Sequence, residues 1–330
     1  MLFNPCNTWN QGNVQKTNSY AGFGQVRYKF TDALSVTLGG RYTSEDKFNL
    51  STRAFDFRPA GLQVAPGVII LGFLSPIVTN LPGRLSFKKF TPKVGVEYRA
   101  SDDLLLFASW SRGFRSGGFN GRLIVPQPTI PTNNPDTNDA YEIGIKSDWL
   151  DRRLRFNATA FYSKYKGIQQ TISVTVTQFQ VANAGNAELY GFEAELTVIP
   201  VDALRFNASI GYTHSEFKNV PASAEQSGRI NGNSLPFAPR YTVAVGAEYA
   251  IDLGGHGNLV PRIDYRLQSK TFFTALNLPF EQQQSYGLLS TRLTYTDASK
   301  RYSLAVYADN LTDEQYYTLG QNALGAQGVA

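Results

Sequence analysis

A side-chain period of two, sustained over stretches of roughly ten to thirteen residues, limits this chain more than any other feature. From Leu34 the sequence LSVTLGGRYT sets Leu34, Val36, Leu38 and Tyr42 against Ser35, Thr37, Gly39 and Arg41. Tyr241, Val243, Val245, Ala247, Tyr249 and Ile251 likewise oppose Thr242, Ala244, Gly246 and Glu248. The five letters LRFNA occur at 154–158 and again at 204–208, each time just after a charged turn. In both copies Leu, Phe and Ala fall on one side and Arg and Asn on the other. Successive side chains of a strand point to opposite faces, so this pattern predicts an all-β chain. No comparable stretch carries the helical period.

Strand length narrows the choice. Strands of soluble sheets average about 5–6 residues, whereas tilted strands crossing a bilayer need about 9–11 residues, apolar outward and polar inward. The pattern predicts twelve strands, at 18–30, 34–45, 88–100, 104–114, 139–149, 154–165, 188–199, 204–216, 239–251, 259–269, 285–296 and 301–312. Short turns at Thr31–Ala33, Ser101–Asp103, Leu150–Arg153, Pro200–Ala203, Asp252–Asn258 and Asp297–Lys300 alternate with long segments near 46–87, 115–138, 166–187, 217–238 and 270–284. Tight periplasmic turns alternating with long extracellular loops characterise transmembrane barrels. A soluble sandwich or solenoid gives no reason for that alternation. Aromatic residues make up 13% of the chain and fall where the two interfaces of such a barrel would lie. Tyr28, Phe30, Tyr98, Trp149 and Tyr249 sit near short turns, and Trp110, Tyr162 and Tyr212 toward the long loops.

Other classes find little support. No apolar run approaches the roughly 18 residues of a membrane helix, and VIILGFL at 68–74 is the longest. The net charge of +5 comes from scattered Lys and Arg rather than a dense basic run, which argues against nucleic acid as a partner. One Cys and two widely separated His, His214 and His256, leave little for a metal cluster or a catalytic triad. No catalytic residue, metal ligand or cofactor is expected.

The words themselves point further. FASWSRGFRSGGFNG (107–121), NDAYEIGIKSDWLDRRLRFNATAFYSKYKGIQ (138–169), NAELYGFEAEL (186–196) and VYADNLTDEQYY (306–317) resemble the barrel of TonB-dependent outer-membrane receptors from about Ser19 to Tyr317. The most specific part is Asn310, Leu311, Thr312 and Asp313 followed by Tyr316. The resemblance implies an antiparallel transmembrane β-barrel of about 22 strands in the outer membrane of a Gram-negative bacterium. It implies uptake of a scarce ligand, most often a ferric siderophore-type complex, energised by the TonB–ExbB–ExbD complex through a plug domain and TonB box. Outer-membrane lipid and lipopolysaccharide would surround it. On that numbering residues 1–330 are a partial barrel, about strands 10–21, with residues 1–17 the tail of an extracellular loop. Plug, TonB box, signal peptide, earlier strands and closing strand are not seen. A passive porin or a barrel enzyme stays open as an alternative.

Several groups are candidates for contact with ligand. In SWSRGFRSGGFNGR the guanidinium groups of Arg112, Arg115 and Arg122, with Phe114, Phe119 and Asn120, suit an anionic, partly aromatic chelate through charge-assisted bonds and stacking. The same arginines could equally pair with acidic neighbours, line the lumen or touch lipopolysaccharide. The VIILGFL loop could form an apolar platform or a hairpin above the membrane. NPDTND (134–139) lacks the spacing of a Ca²⁺ loop and reads as turn chemistry. Glu193 and Glu195, two residues apart on the inward face, are expected to pair with wall arginines.

Overall fold

The computed structural model describes residues 8–56, 79–121, 128–175, 178–225, 228 and 230–320. Twelve strands follow one another in one antiparallel sheet, each pairing with its neighbours in sequence, and a two-residue strand at Ile251–Asp252 adds to the tenth of them. They are β1 (Thr8–Lys29), β2 (Leu34–Asp56), β3 (Thr79–Ser101), β4 (Leu104–Arg115), β5 (Asp136–Trp149) and β6 (Leu154–Lys166), followed by β7 (Asn186–Val201), β8 (Leu204–Lys218), β9 (Tyr241–Tyr249), β10 (Asn258–Gln268), β11 (Tyr286–Thr296) and β12 (Ser303–Ala308). β1 and β12 end the order and no ladder joins them, so the sheet is not closed among the described residues. Helical structure there is confined to single 3₁₀ turns at Ala222–Ala224 and Gly254–His256.

The expected strands are present, with three corrections. β2 runs on to Asp56 and β3 begins at Thr79, so much of the long segment at 46–87 is strand. β1 starts at Thr8 inside the expected loop tail. Pairs such as Val14↔Leu50 and Leu50↔Pro82 carry the ladder upward. Here strand is set by backbone pairing, and polar residues on both faces erase the alternation that would have announced it. β12 is shorter than expected and stops at Ala308, because Asn310 takes φ 51° and leaves the ladder.

The two faces differ as the alternation requires. Val26, Ile143, Phe206, Val245 and Leu293 are exposed on the outer face, as residues meant for lipid must be. Rings line up across strands in two bands. Trp110, Tyr141, Tyr162, Tyr190 and His214 are successive cross-strand partners toward the long loops. Tyr28, Tyr98, Trp149 and Tyr249 are exposed near the short turns. Within the first band Tyr141 and Tyr162 lie 6.2 Å apart and Tyr190 and His214 stack at 4.7 Å. Such contacts add to area burial and hold amphipathic rings at one depth.

Side chains close the short turns. The Leu34 N–H donates to the Thr31 hydroxyl at 2.9 Å, and the Gly254 N–H to Asp252 at 2.8 Å. Asp297 accepts from the Ser299 hydroxyl and from the Tyr302 N–H, and these bonds hold its carboxyl below the usual carboxylate range. Arg153 joins two neighbouring turns by its bond to Asp202 at 2.7 Å. The two LRFNA copies flank β7. Phe156 faces Leu196 and Phe206 faces Val198, so the second copy sits two residues out of register with the first.

The packed apolar core lies at the long-loop end. Ile168, Ile172, Ala187, Phe217, Ile230, Leu235 and Ala275 bury one another where loops fold over the inward tops of β7 and β8. The face assignment is open to a direct test. Ile143→Lys, which puts a charge into lipid, should cost the full-length barrel about 2 kcal/mol in bilayer unfolding. Ser109→Lys on the neighbouring inward face should cost less than about 1 kcal/mol. Equal costs would mean the faces are assigned wrongly.

Candidate functional site at the long-loop end

The SWSRGFRSGGFNGR stretch begins as strand and ends as loop. Arg112 lies on the outer face one step above Trp110, opposite Asp139. It donates to both carboxylate oxygens at 2.7 and 2.9 Å, a two-point pair of the strong kind. Phe114, half-buried, lies on the same face opposite Thr137. Arg115 turns inward to Asp136, with bonds at 2.5 and 3.1 Å, and also donates to the Gln169 carbonyl at 2.9 Å. The buried Asp136 takes the Gln169 N–H at 3.1 Å as well. Arg122 lies outside the described residues.

After Arg115 the chain folds across the inward face. Lys47 of β2 donates to the Ser116 hydroxyl and the Gly117 carbonyl, each at 2.8 Å, and pairs with Glu45 at 2.9 Å. Gly117 permits the approach, since a Cβ there would lie 2.1 Å from the Asn133 carbonyl oxygen. Gly118 and Phe119 pair with Asn133 and Thr132 in a two-residue ladder. The Phe119 ring lies against Gly83 of β3, where a Cβ would come within 2.5 Å of it. Asn120 imitates a strand partner. Its amide donates to the Val181 carbonyl at 2.9 Å and its oxygen accepts the Val181 N–H at 2.7 Å.

Arg112, Arg115, Phe119 and Asn120 are therefore all engaged, within the strand ladder or with neighbouring loops, and Asp136 and Asp139 of NPDTND are their acidic partners. The organiser that the sequence reading missed is Gln169. Its amide donates to the Ser116 carbonyl at 3.1 Å and the Asn134 carbonyl at 3.0 Å, which joins three loops. A single glutamine in a polar loop carries no pattern by which it could have been found. A second knot lies beside the first. Asn233 donates to the Ala275 and Leu276 carbonyls, and Asn277 exchanges bonds with Ser234.

Two further expectations have outcomes here. Glu193 and Glu195 face inward, but neither has a cation within 4 Å among the described residues, so the expected pairing is absent. Gly191 and Ala194 lie on β7, and the residues facing the two carboxylates across the ladder are Thr159 and Gly211, Asn157 and Ser209, none of them basic. The VIILGFL loop lies outside the described residues. The Asn310–Asp313 group forms a tight turn, in which the Asp313 N–H donates to the Asn310 carbonyl at 3.0 Å. The Asn310 amide donates to the Glu314 carbonyl at 3.0 Å and accepts its N–H at 2.9 Å, and both Asn310 and Asp313 have positive φ. Leu311 donates its N–H to the Leu289 carbonyl at 2.7 Å, and Thr312 sits within the turn. The Tyr316 ring then stacks on Tyr286 at 4.5 Å.

If Asp136 is the post to which these loops are tied, Asp136→Ala should release them. Hydrogen exchange at 116–121 and 167–172 should speed by an amount equivalent to about 1–3 kcal/mol, while 154–163 keeps its protection. Unchanged exchange in the loops would show that the post is elsewhere.

Known proteins share this architecture. The pesticin receptor of Yersinia pestis is 28% identical over 225 residues, 68% of this chain and 31% of that protein. The ferric-pyoverdine M114 receptor PbuA of Pseudomonas sp. is 25% identical over 309 residues, 93% of this chain and 34% of that protein. The chain thus spans about a third of the length of these curated relatives. The solved structure of the ferric yersiniabactin uptake receptor FyuA from Yersinia pestis has the same fold, with a TM-score of 0.76, 22% identity, 95% of this chain covered and 43% of that one. Residues 2–311 match the family described as TonB dependent receptor-like, beta-barrel, and the chain belongs to that family.

Proposed function

We propose that these strands are part of the wall of an outer-membrane receptor that takes up a ferric siderophore-type iron complex with energy supplied through TonB, ExbB and ExbD. The family membership carries this reading, and it is a family of receptors, not of enzymes. The relatives' names include a ferric-pyoverdine receptor and a siderophore receptor, PiuA. The open outer ladders of β1 and β12 support a barrel completed by further strands, because unpaired backbone groups are costly in lipid. On the family's numbering, residues 1–330 then supply about strands 10–21, and contact with the energy complex belongs to a plug and TonB box beyond them.

Within this reading, the knotted loops are the ligand-facing end. Arg115, Phe119 and Asn120 act there by fixing the shape of the mouth, since their polar atoms and ring are already committed to neighbouring loops. Arg122, outside the described residues, is a candidate for direct contact on its charge alone. Arg112 and Phe114 face outward instead, one and two rows above the aromatic band. On that outer face Lys164 shares the row of Arg112 with Asp139 and Glu188, and Lys166 and Lys218 lie one row higher, level with Phe114, a setting that suits lipopolysaccharide phosphates.

The test uses the complete gene in its own cell. Deleting it should abolish uptake of radio-iron from one ferric siderophore in a panel, and a proton uncoupler should have the same effect on the wild type. Uptake that persists without the proton gradient, or entry of small hydrophilic solutes, would instead support the passive porin.

A further inference from the structure

Ion pairs recur along the inward face of the sheet. Arg27 pairs with Glu97 at 2.5 Å, Arg155 with Asp148 at 2.7 Å, and Arg262 with Asp264 at 2.6 Å and Glu248 at 2.8 Å. Lys47 and Arg115 are paired as described above. Some inward cations, Arg266 and Arg292 among them, have no carboxylate within 4 Å among the described residues, and at one place three such cations gather. Arg41 of β2 faces Thr91 of β3, and Lys89 and Lys93 stand two residues either side of Thr91. Arg41 is therefore a diagonal neighbour of each lysine on one face, with Cβ atoms on the order of 7–8 Å apart, and the two lysines lie about 13 Å apart along β3. None has a carboxylate within 4 Å among the described residues. The nearest by register, Glu45, is diagonal to Lys89 but is held by Lys47 and the Ser116 hydroxyl. Arg41 spends one bond on the neighbouring Thr43 hydroxyl at 3.2 Å. Its guanidinium lies 5.8 Å from the ring of Phe23, directly opposite on β1 and on the same face.

Three unpaired cations gathered on two adjacent strands repel one another, and the ion pairs elsewhere on this face show that the wall can neutralise such charges. The cluster lies level with Tyr42 and Phe90, at the long-loop half of the wall, just below the strip at 116–121 that Lys47 anchors. A solute arriving from outside would meet it soon after passing the loops. We infer that Arg41, Lys89 and Lys93, with the Phe23 ring beside them, form a station for a polyanionic chelate whose metal-binding oxygens sit on aromatic rings. This rests on the uptake reading and adds a ligand class to it. Cations supply charge-assisted bonds to the oxygens, and the exposed ring offers a stacking surface.

The test uses the full-length receptor in detergent with two probes, a trianionic ferric tris-catecholate and a neutral ferric tris-hydroxamate, titrated at low and high salt. Wild type should bind the anionic complex more tightly, and salt should erode that preference. The triple variant Arg41→Gln, Lys89→Gln, Lys93→Gln should lose about tenfold or more for the anionic complex and nothing for the neutral one. Arg266→Gln, an inward cation outside the cluster, should leave the preference intact. Wild type that binds neither probe would overturn the uptake reading together with this one. Wild type without a charge preference, or a triple variant that retains it, would overturn the anion station alone. So would equal loss of both complexes in the triple variant, which would show that the cluster holds another part of the protein.

Discussion

Every other feature of this chain depends on the pairing of backbone N–H and C=O groups between adjacent strands. In hydrocarbon there is no water to satisfy them, so a segment that crosses must find its partners in a neighbour. The result is a ladder in which sequence neighbours are spatial neighbours from β1 to β12. Once that ladder exists, the pleat sorts side chains without further help. Leucine, phenylalanine and tyrosine go to one side, arginine, asparagine and glutamate to the other. The usual order of a soluble protein is inverted, with large apolar groups outside and ion pairs inside.

The ladder alone does not order the loops. What it carries at the long-loop end is a second kind of order, built from side chains that stand in for backbone. Asn120 against Val181, Asn277 against Ser234 and Gln169 among three carbonyls all supply the hydrogen bonds that irregular chain lacks. A small apolar cluster around Phe217 gives this end a core of its own. These loops are thus knit into the wall that supports them.

The strands were legible where one face meets lipid and the other does not, as in β4 to β8, because burial on one side writes a period of two. Above the membrane both faces are wet, and the upper parts of β1, β2 and β3 read as loop. The arginines of the SWSRGFRSGGFNGR stretch were visible as charge but not as partners, since Asp136 and Asp139 lie more than twenty residues on. Their pairing follows from the register of β4 on β5, which no local pattern states. Glu193 and Glu195 show the opposite error. Expecting each wall acid to find an arginine overlooks that Thr159, Asn157, Ser209 and Gly211 are what the register sets beside them.

The displaced pair of LRFNA motifs has a geometric meaning. Both copies begin just above a short turn, yet across β7 the second is offset by two residues. A line drawn along the hydrogen bonds therefore climbs about 6.6 Å while it crosses about 9.6 Å of sheet, two strand spacings. The strands must lean by roughly 35° from the normal to the row of turns, within the range that closed barrels use. Repeated around a circumference, the same offset would fix how wide the enclosed lumen can be. Five letters written twice, one step out of line, thus encode a pitch.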